Sequence, residues 1–280
     1  MTRVNVFKIY MGGKVKRILI TGAAGQIGRA LRKAWRGKYK LRLTDIAPME
    51  SPGPDEECIQ ADLADYDAIA KLMPGVDAIA HFGGRAVEGT WEEILPASIV
   101  GLYNVMESAR IAGVKRIILA SSNHAVGFYR RQTTLTSEHA PRPDGLYGVS
   151  KAFFEAMGSL YADKHGMTVA CLRIGTFREP DEPDNERHLM SWISHRDMVH
   201  QCECCLEAPD YHYAVMFGIS NNTRARWDNA RAFQLGYRPR DNAEDFAARV
   251  AGKTEDDLAR QFHGGFYIPE GFTGDASSIP

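Results

Sequence analysis

Val15-Lys16-Arg17-Ile18-Leu19-Ile20-Thr21 runs straight into Gly22-Ala23-Ala24-Gly25-Gln26-Ile27-Gly28, and a stretch with helical character follows through Trp35. The first seven residues are mostly apolar and β-rich, as in a short strand buried on both faces. The three glycines permit a tight turn, close approach of the backbone to a ligand, and close helix–strand packing. A helix starting there presents free N–H groups and its positive dipole end to an anion. Strand, glycine turn and helix together predict a dinucleotide site, with Gly22, Gly25, Gln26, Ile27 and Gly28 around a pyrophosphate.

The pattern continues outward. Further strands are expected at Leu41–Asp45, Cys58–Leu63, Val76–Phe82, Lys115–Ser121 and Val169–Ile174. Helical stretches fall at Ala68–Met73, Ile94–Ala112 and Leu146–Lys164 between them. Such alternation predicts an α/β fold, a Rossmann-type doubly wound parallel sheet. The alternation loosens after Gly175. There Arg178–Arg187 is proline-rich, charged and loop-like, His195–Leu206 is helical, and Ala214–Ile219 is a strand. Asn229–Ala248 reads as two short helices around Gly236. The expected organisation is an N-terminal extension (1–14), an NAD-binding core (15–175), and a small C-terminal substrate-binding part (176–280) packed on the same domain.

Asp45 closes the second strand. A carboxylate there accepts hydrogen bonds from the adenosine ribose hydroxyls and repels a 2′-phosphate, which favours NAD over NADP. Lys40 and Arg42 stand close by in sequence and keep NADP open. Asp62 and Leu63 are expected at the end of the third strand, beside the adenine. Phe82, Gly83 and Gly84 end the fourth, where paired glycines let a cofactor approach the backbone.

Tyr147 and Lys151 form Tyr-x-x-x-Lys at the start of a long helix. A spacing of four puts both side chains on one face. A free phenol, with a pKa of about 10, is too weakly acidic to serve as a base at neutral pH. A neighbouring ammonium favours the phenolate. Tyr147 can then act as general base, with Lys151 tuning it and bonding the nicotinamide ribose. Ser122, at the end of the fifth strand, can orient the reacting hydroxyl.

With these motifs the chain resembles the extended short-chain dehydrogenase/reductase superfamily. Ala120–Gly127 (ASSNHAVG), Arg142–Lys151 (RPDGLYGVSK), Leu172–Gly175 (LRIG) and Leu235–Ala243 (LGYRPRDNA) resemble the uronate dehydrogenase family in particular. The resemblance spans about Lys16 to Phe266. It implies NAD-dependent oxidation of the anomeric carbon of a hexuronate, glucuronate or galacturonate, to an aldaric acid lactone. It implies Tyr147 as the base, Ser122 on the same oxygen, Asn123 and His124 on sugar hydroxyls, and Arg187 on the substrate carboxylate. Thr176 keeps a hydroxyl where the family has Thr or Ser. Ala86 stands where the family has a sugar-contacting Ser, and Ser98 where the superfamily has Asn. The adjacent Arg85 brings a second cation to the sugar site. These departures leave open another NAD-dependent sugar dehydrogenase, or a sugar-nucleotide epimerase or dehydratase of the same superfamily.

Composition sets the outer limits. The 280 residues carry 34 Lys+Arg against 35 Asp+Glu, a net charge of -1 that gives no basic excess for nucleic acid. No apolar run reaches the roughly 20 residues of a spanning helix, so neither nucleic acid nor membrane is an expected partner. The five cysteines, an odd number, suit a reducing cytoplasm better than a disulfide framework. Cys202-Glu203-Cys204-Cys205 invites a metal reading. Met198, Cys202 and Cys205 share one helix face, however, so they are expected to be core, with no metal site. Trp192 and Phe177 could wall the sugar site, since flat rings stack on sugar faces, but core packing is the preferred reading. The apolar faces of the two long helices could serve a homo-oligomer or the core, and both stay open.

Overall fold

The computed structural model describes residues 16–209 and 211–280. The expected extension, residues 1–14, and Val15 lie outside the described residues. Seven strands form one parallel sheet in the order β3-β2-β1-β4-β5-β6-β7. They are β1 (Arg17–Thr21), β2 (Lys40–Asp45), β3 (Glu56–Gln60), β4 (Ala78–His81), β5 (Arg116–Ser122), β6 (Thr168–Ile174) and β7 (Tyr213–Gly218). The order reverses between β1 and β4, so a crevice opens at their C-terminal ends.

Side chains alternate across the strands and feed two cores. Ile18, Ile20, Ala78, Ala80 and Ile118 pack with Leu31 and Trp35 of α1 (Gln26–Trp35) and with Met198, Cys202 and Cys205 of α7 (His195–Glu207). Leu19, Ile79, Ile117 and Leu119 face the other way. There they meet Ile69 of α2 (Tyr66–Ala70), Leu102 and Val105 of α4 (Gly101–Ile111), and Phe154 of α5 (Leu146–His165). Cys202 and Cys205 are core residues, as their helix face predicted. So are Trp35, Trp192 and Trp227, whereas Trp91 is 45% exposed. Burial pushes the Cys171, Cys202 and Cys205 thiols up, so they stay protonated. No helix among the described residues is long and apolar enough to cross a membrane.

Three elements depart from the sequence reading. The third strand is Glu56–Gln60 rather than Cys58–Leu63, because its ladder pairs Leu41 with Glu56 and Asp45 with Gln60 and stops where β2 stops. Asp62 and Leu63 therefore follow the strand instead of ending it. The apolar signal at Ala61 and Leu63 comes from packing under the sheet. The fourth strand is likewise shorter, and Phe82, Gly83 and Gly84 lie just past its end. The single helix expected over Ile94–Ala112 is broken into α3 (Trp91–Ile94), a π-helical turn (Leu95–Val100) and α4. Pro96 cannot donate a backbone hydrogen bond, and the Gly101 N–H reaches back five residues to the Pro96 carbonyl. The wide turn holds Ser98 wholly inside the protein.

Candidate active site

The glycine turn is built by close contact. Gly22 has φ +69°, and a Cβ there would stand 2.6 Å from the Phe82 carbonyl carbon. At Gly28 it would stand 2.2 Å from the Gly22 oxygen. Both positions require glycine. Gly25 is the N-cap of α1. It offers no side chain to the helix, and no acid lies in the first turn. The N-terminus thus keeps its donors and its dipole for an anion. Asp45 holds the turn from β2, its Oδ2 accepting from Ala24 N and its Oδ1 from Ala47 N, both at 2.9 Å. Arg42 is committed elsewhere: its Nε pairs with Glu57 at 2.6 Å, and its Nη1 donates to the Leu72 and Pro74 carbonyls. Lys40 stands at the far end of β2, about 16 Å back along the strand. The glycine turn and the α1 N-terminus fit a dinucleotide, and neither Arg42 nor Lys40, the two cations that kept NADP open in the sequence, is placed for a 2′-phosphate.

A cleft of about 380 Å³ opens over this turn. Its walls bring together Gly22, Gly25, Gln26, Ile27, Gly28, Phe82 and Gly84 at one end and Ser122, Tyr147 and Lys151 at the other. Arg85, Ala86, Val87, Ala120, Ser121, Ile174, Gly175 and Phe177 complete it. Phe177, read as core, is thus a cleft wall, while Trp192 stays in the core against Phe246.

Ser122 ends β5, where its hydroxyl accepts from the His124 N–H at 3.2 Å and stands beside the Tyr147 phenol. The Tyr147 N–H, in the first turn of α5, donates to the Glu88 carboxylate at 3.2 Å. Lys151 Nζ lies 5.2 Å from the Tyr147 ring centroid and 4.2 Å from that of Phe154. Burial pushes the Tyr147 phenol up, while the Ser122 hydrogen bond pulls against it. The ammonium of Lys151 is pulled down to about 7 by burial alone. Below it, His81 stacks on Phe154, bonds Thr21 Oγ1 at 2.7 Å, and is held neutral by burial and by Lys151, at about 3.

Of the remaining expected residues, Asn123, His124, Thr176 and Arg187 are outside the cleft lining and held by neighbouring side chains or backbone. Asn123 Nδ2 donates to the Ile174 carbonyl at 3.0 Å, and its Oδ1 accepts from Arg187 Nη2 at 2.8 Å. Arg187 is buried, not a solvated loop arginine. Its Nη2 also donates to the His263 carbonyl, and its Nε faces Glu255 at 3.7 Å without a hydrogen bond. Burial lowers its pKa against the pull of Glu255. His124 is oriented by Asp144, at 2.7 Å from Nδ1, and stacks on Tyr267 with ring centroids 4.2 Å apart. Thr176 Oγ1 is bonded to Ser191 Oγ at 2.8 Å. Leu63 packs beneath Gly83, and its carbonyl accepts from Asn104. Asp62 is exposed, caps its own turn through Ala64 N, and is not brought to the cleft.

Glu88, Asp144, Glu255 and Tyr267 were not legible as site residues. Asp144 sits inside the RPDGLYGVSK motif, the one available signal. The other three carry none.

A family profile described as the NAD dependent epimerase/dehydratase family matches residues 18–208. The chain is 43% identical to a uronate dehydrogenase of Pseudomonas syringae pv. tomato over 264 residues, 92% of this chain and 95% of that protein. The chain belongs to the uronate dehydrogenase family. A crystal structure of a uronate dehydrogenase from Agrobacterium tumefaciens, a tyrosine-to-alanine mutant complexed with NAD, is 42% identical. It covers 91% of this chain and 97% of its own, with a TM-score of 0.86. At 38% identity, over 82% of this chain and 95% of the relative, stands an NAD-dependent glucose-6-phosphate dehydrogenase of Haloferax volcanii. The seven-stranded sheet and its flanking helices are therefore the family's fold.

Proposed function

We propose that this chain is an NAD-dependent oxidoreductase that oxidises the anomeric CH–OH of a hexuronate, glucuronate or galacturonate, to an aldaric acid lactone. The observation that carries the reading is one cleft with Tyr147, Ser122 and Lys151 at one end and the glycine turn at the other. Residues 15–175 form the NAD-binding core, and residues 176–280 complete the sugar end. NAD, when bound, supplies the hydride acceptor.

The chain's own residues handle the proton and the positioning. Tyr147, held by Ser122, takes the proton of the anomeric hydroxyl. Burial disfavours a lone phenolate and a lone ammonium alike. Hydride removal and proton transfer occur with the Lys151 ammonium beside the Tyr147 ring, where a positive charge favours the developing phenolate. Ser122 donates to the reacting oxygen. Asn123 and His124, oriented by Arg187 and Asp144, contact sugar hydroxyls, and Thr176 adds a third polar group. Arg187 meets the substrate carboxylate, since its buried Nε still lacks an acceptor.

A second reading, oxidation of a phosphorylated aldose at the same carbon, is favoured by the Haloferax relative. One assay separates the two. Protein and NAD are mixed with glucuronate, galacturonate or glucose 6-phosphate, and NADH absorbance is followed. Turnover of a uronate, with the lactone seen by NMR, is expected. Turnover of the phosphate ester alone would replace the first reading by the second.

A further inference from the structure

The cleft holds two cations, Lys151 and Arg85, among its described lining residues. Lys151 belongs to the tyrosine. Arg187 lies behind the wall, with Nη2 shared between the His263 carbonyl and Asn123. An anionic sugar entering the cleft therefore meets Arg85 first.

Arg85 is held by its backbone and left open at its head. Its N–H donates to Ser98 Oγ at 3.0 Å, and Ser98 is fixed inside the π-helical turn. The segment carrying it is pinned again at Glu88, which accepts from the Tyr147 N–H. The guanidinium has one partner, Glu93 Oε1, 3.4 Å from Nη2. Glu93 is already engaged, because its Oε2 accepts from Thr90 N in the capping box of α3. Arg85 Nε is buried without any hydrogen bond. Both side chains of the pair are more than a third exposed, and such pairs are weak, at about 0–1 kcal/mol. A guanidinium with unsatisfied donors and a weak carboxylate partner exchanges readily for a better-placed carboxylate, which it can take bidentately.

We infer that Arg85 is a specificity-determining residue that binds the carboxylate of the sugar substrate from the cleft side, as a second guanidinium beside the Arg187 proposed above. This rests on the reading of the chain as an NAD-dependent hexuronate dehydrogenase. The neighbouring Ala86 leaves room for the long side chain and supplies no competing polar group. The pyrophosphate of the cofactor is the other anion in the cleft, and the α1 N-terminus already serves it.

Arg85→Ala and Arg85→Lys test the assignment against the wild type. KM and kcat are measured for galacturonate and for galactose, which lacks the carboxylate, and the dissociation constant of NAD is measured by fluorescence. The expected result for Arg85→Ala is a rise in KM for galacturonate of about tenfold or more, the loss of one charge-assisted contact. Its kcat should stay within a few-fold, its NAD affinity unchanged, and its kcat/KM for galactose unchanged or higher. Arg85→Lys should recover part of the loss. An unchanged KM for galacturonate, an equal loss with galactose, or a loss confined to NAD affinity would each overturn it. If the wild type oxidises neither uronate, the underlying reading fails. If the wild type oxidises galacturonate and the variants do so with the same KM, only the role of Arg85 fails.

Discussion

The two ends of the cleft are made of different material. The cofactor end is mostly backbone: Gly22 to Gly28, the bare N-terminus of α1, and the Phe82–Gly84 segment pressed against it. The sugar end is mostly side chains gathered from distant segments: Ser122, Tyr147 and Lys151 in front, with Asn123, Arg187, Glu255, His124, Asp144 and Tyr267 behind. Backbone recognition is set by a short run of sequence and leaves little to tune. Side-chain recognition depends on buried pairs and can be changed one residue at a time. A substitution at the sugar end should therefore alter chemistry or sugar binding and leave NAD alone, and the converse should hold at the cofactor end.

The largest expected effect tests that separation directly. Tyr147→Phe removes the hydroxyl proposed to take the proton and should lower kcat by about 10²–10⁴-fold. NAD affinity should stay within a few-fold of wild type by fluorescence titration. Loss of both together would show that the two ends are not independent.

Next comes the support behind the sugar end. Glu255 is buried and pairs with both Arg131 and Arg187. Glu255→Gln leaves two guanidinium groups without their counter-charge and should cost about 3 kcal/mol of stability. Calorimetry should show a fall of several degrees in Tm, with a raised KM for the sugar acid and an unaltered KM for NAD.

At the cofactor end, Asp45→Ala should raise the KM for NAD by about tenfold and narrow the preference over NADP. The KM for the sugar should not move. A change in the sugar KM of the same size would break the comparison from the other side.

The smallest effect is a pH dependence without ligands. The folded protein holds Lys151 at about 7, below its ordinary 10.5. Between those values the unfolded chain binds the extra proton, so stability rises with pH across that window. Tyr147, shifted upward by burial, works in the opposite sense only above about pH 10. From pH 7 to 8 the Tm of wild type should rise and that of Lys151→Met should rise less; above that range the buried Cys171, Cys202 and Cys205 thiols, protonated in the fold while the unfolded chain releases their protons, work in the opposite sense. Parallel curves would place the Lys151 ammonium in a more solvated setting than its burial indicates.

The same division explains what the sequence made legible. The glycine turn, Asp45 and the strand pattern are local signals: the turn stands between β1 and α1, Asp45 closes β2, and the strands fall as read apart from their ends. Tyr147, Lys151 and Ser122 are separated by at most 29 positions, yet helix spacing and strand ends foretell their meeting. Asp62 misled because the apolar Ala61 and Leu63 look like strand but pack under the sheet after β3 has ended. The π-helical turn left no periodic trace beyond Pro96. Glu255 and Tyr267 reach the site from the last 30 residues, where no alternation of strand and helix exists to count. Arg187 reads as a loop arginine until tertiary packing buries it. Local physics writes the cofactor end into the chain, whereas the sugar end emerges only when the far segments close.

In this cleft the anomeric carbon is expected to give up its hydrogen to NAD. Galacturonate carrying deuterium at that carbon, incubated with the protein and NAD, tests it most directly. The account predicts deuterium in the reduced cofactor, a slower rate than with unlabelled sugar when chemistry limits turnover, and a lactone without the label. Reduced cofactor free of deuterium, or deuterium kept in the sugar product, would contradict it.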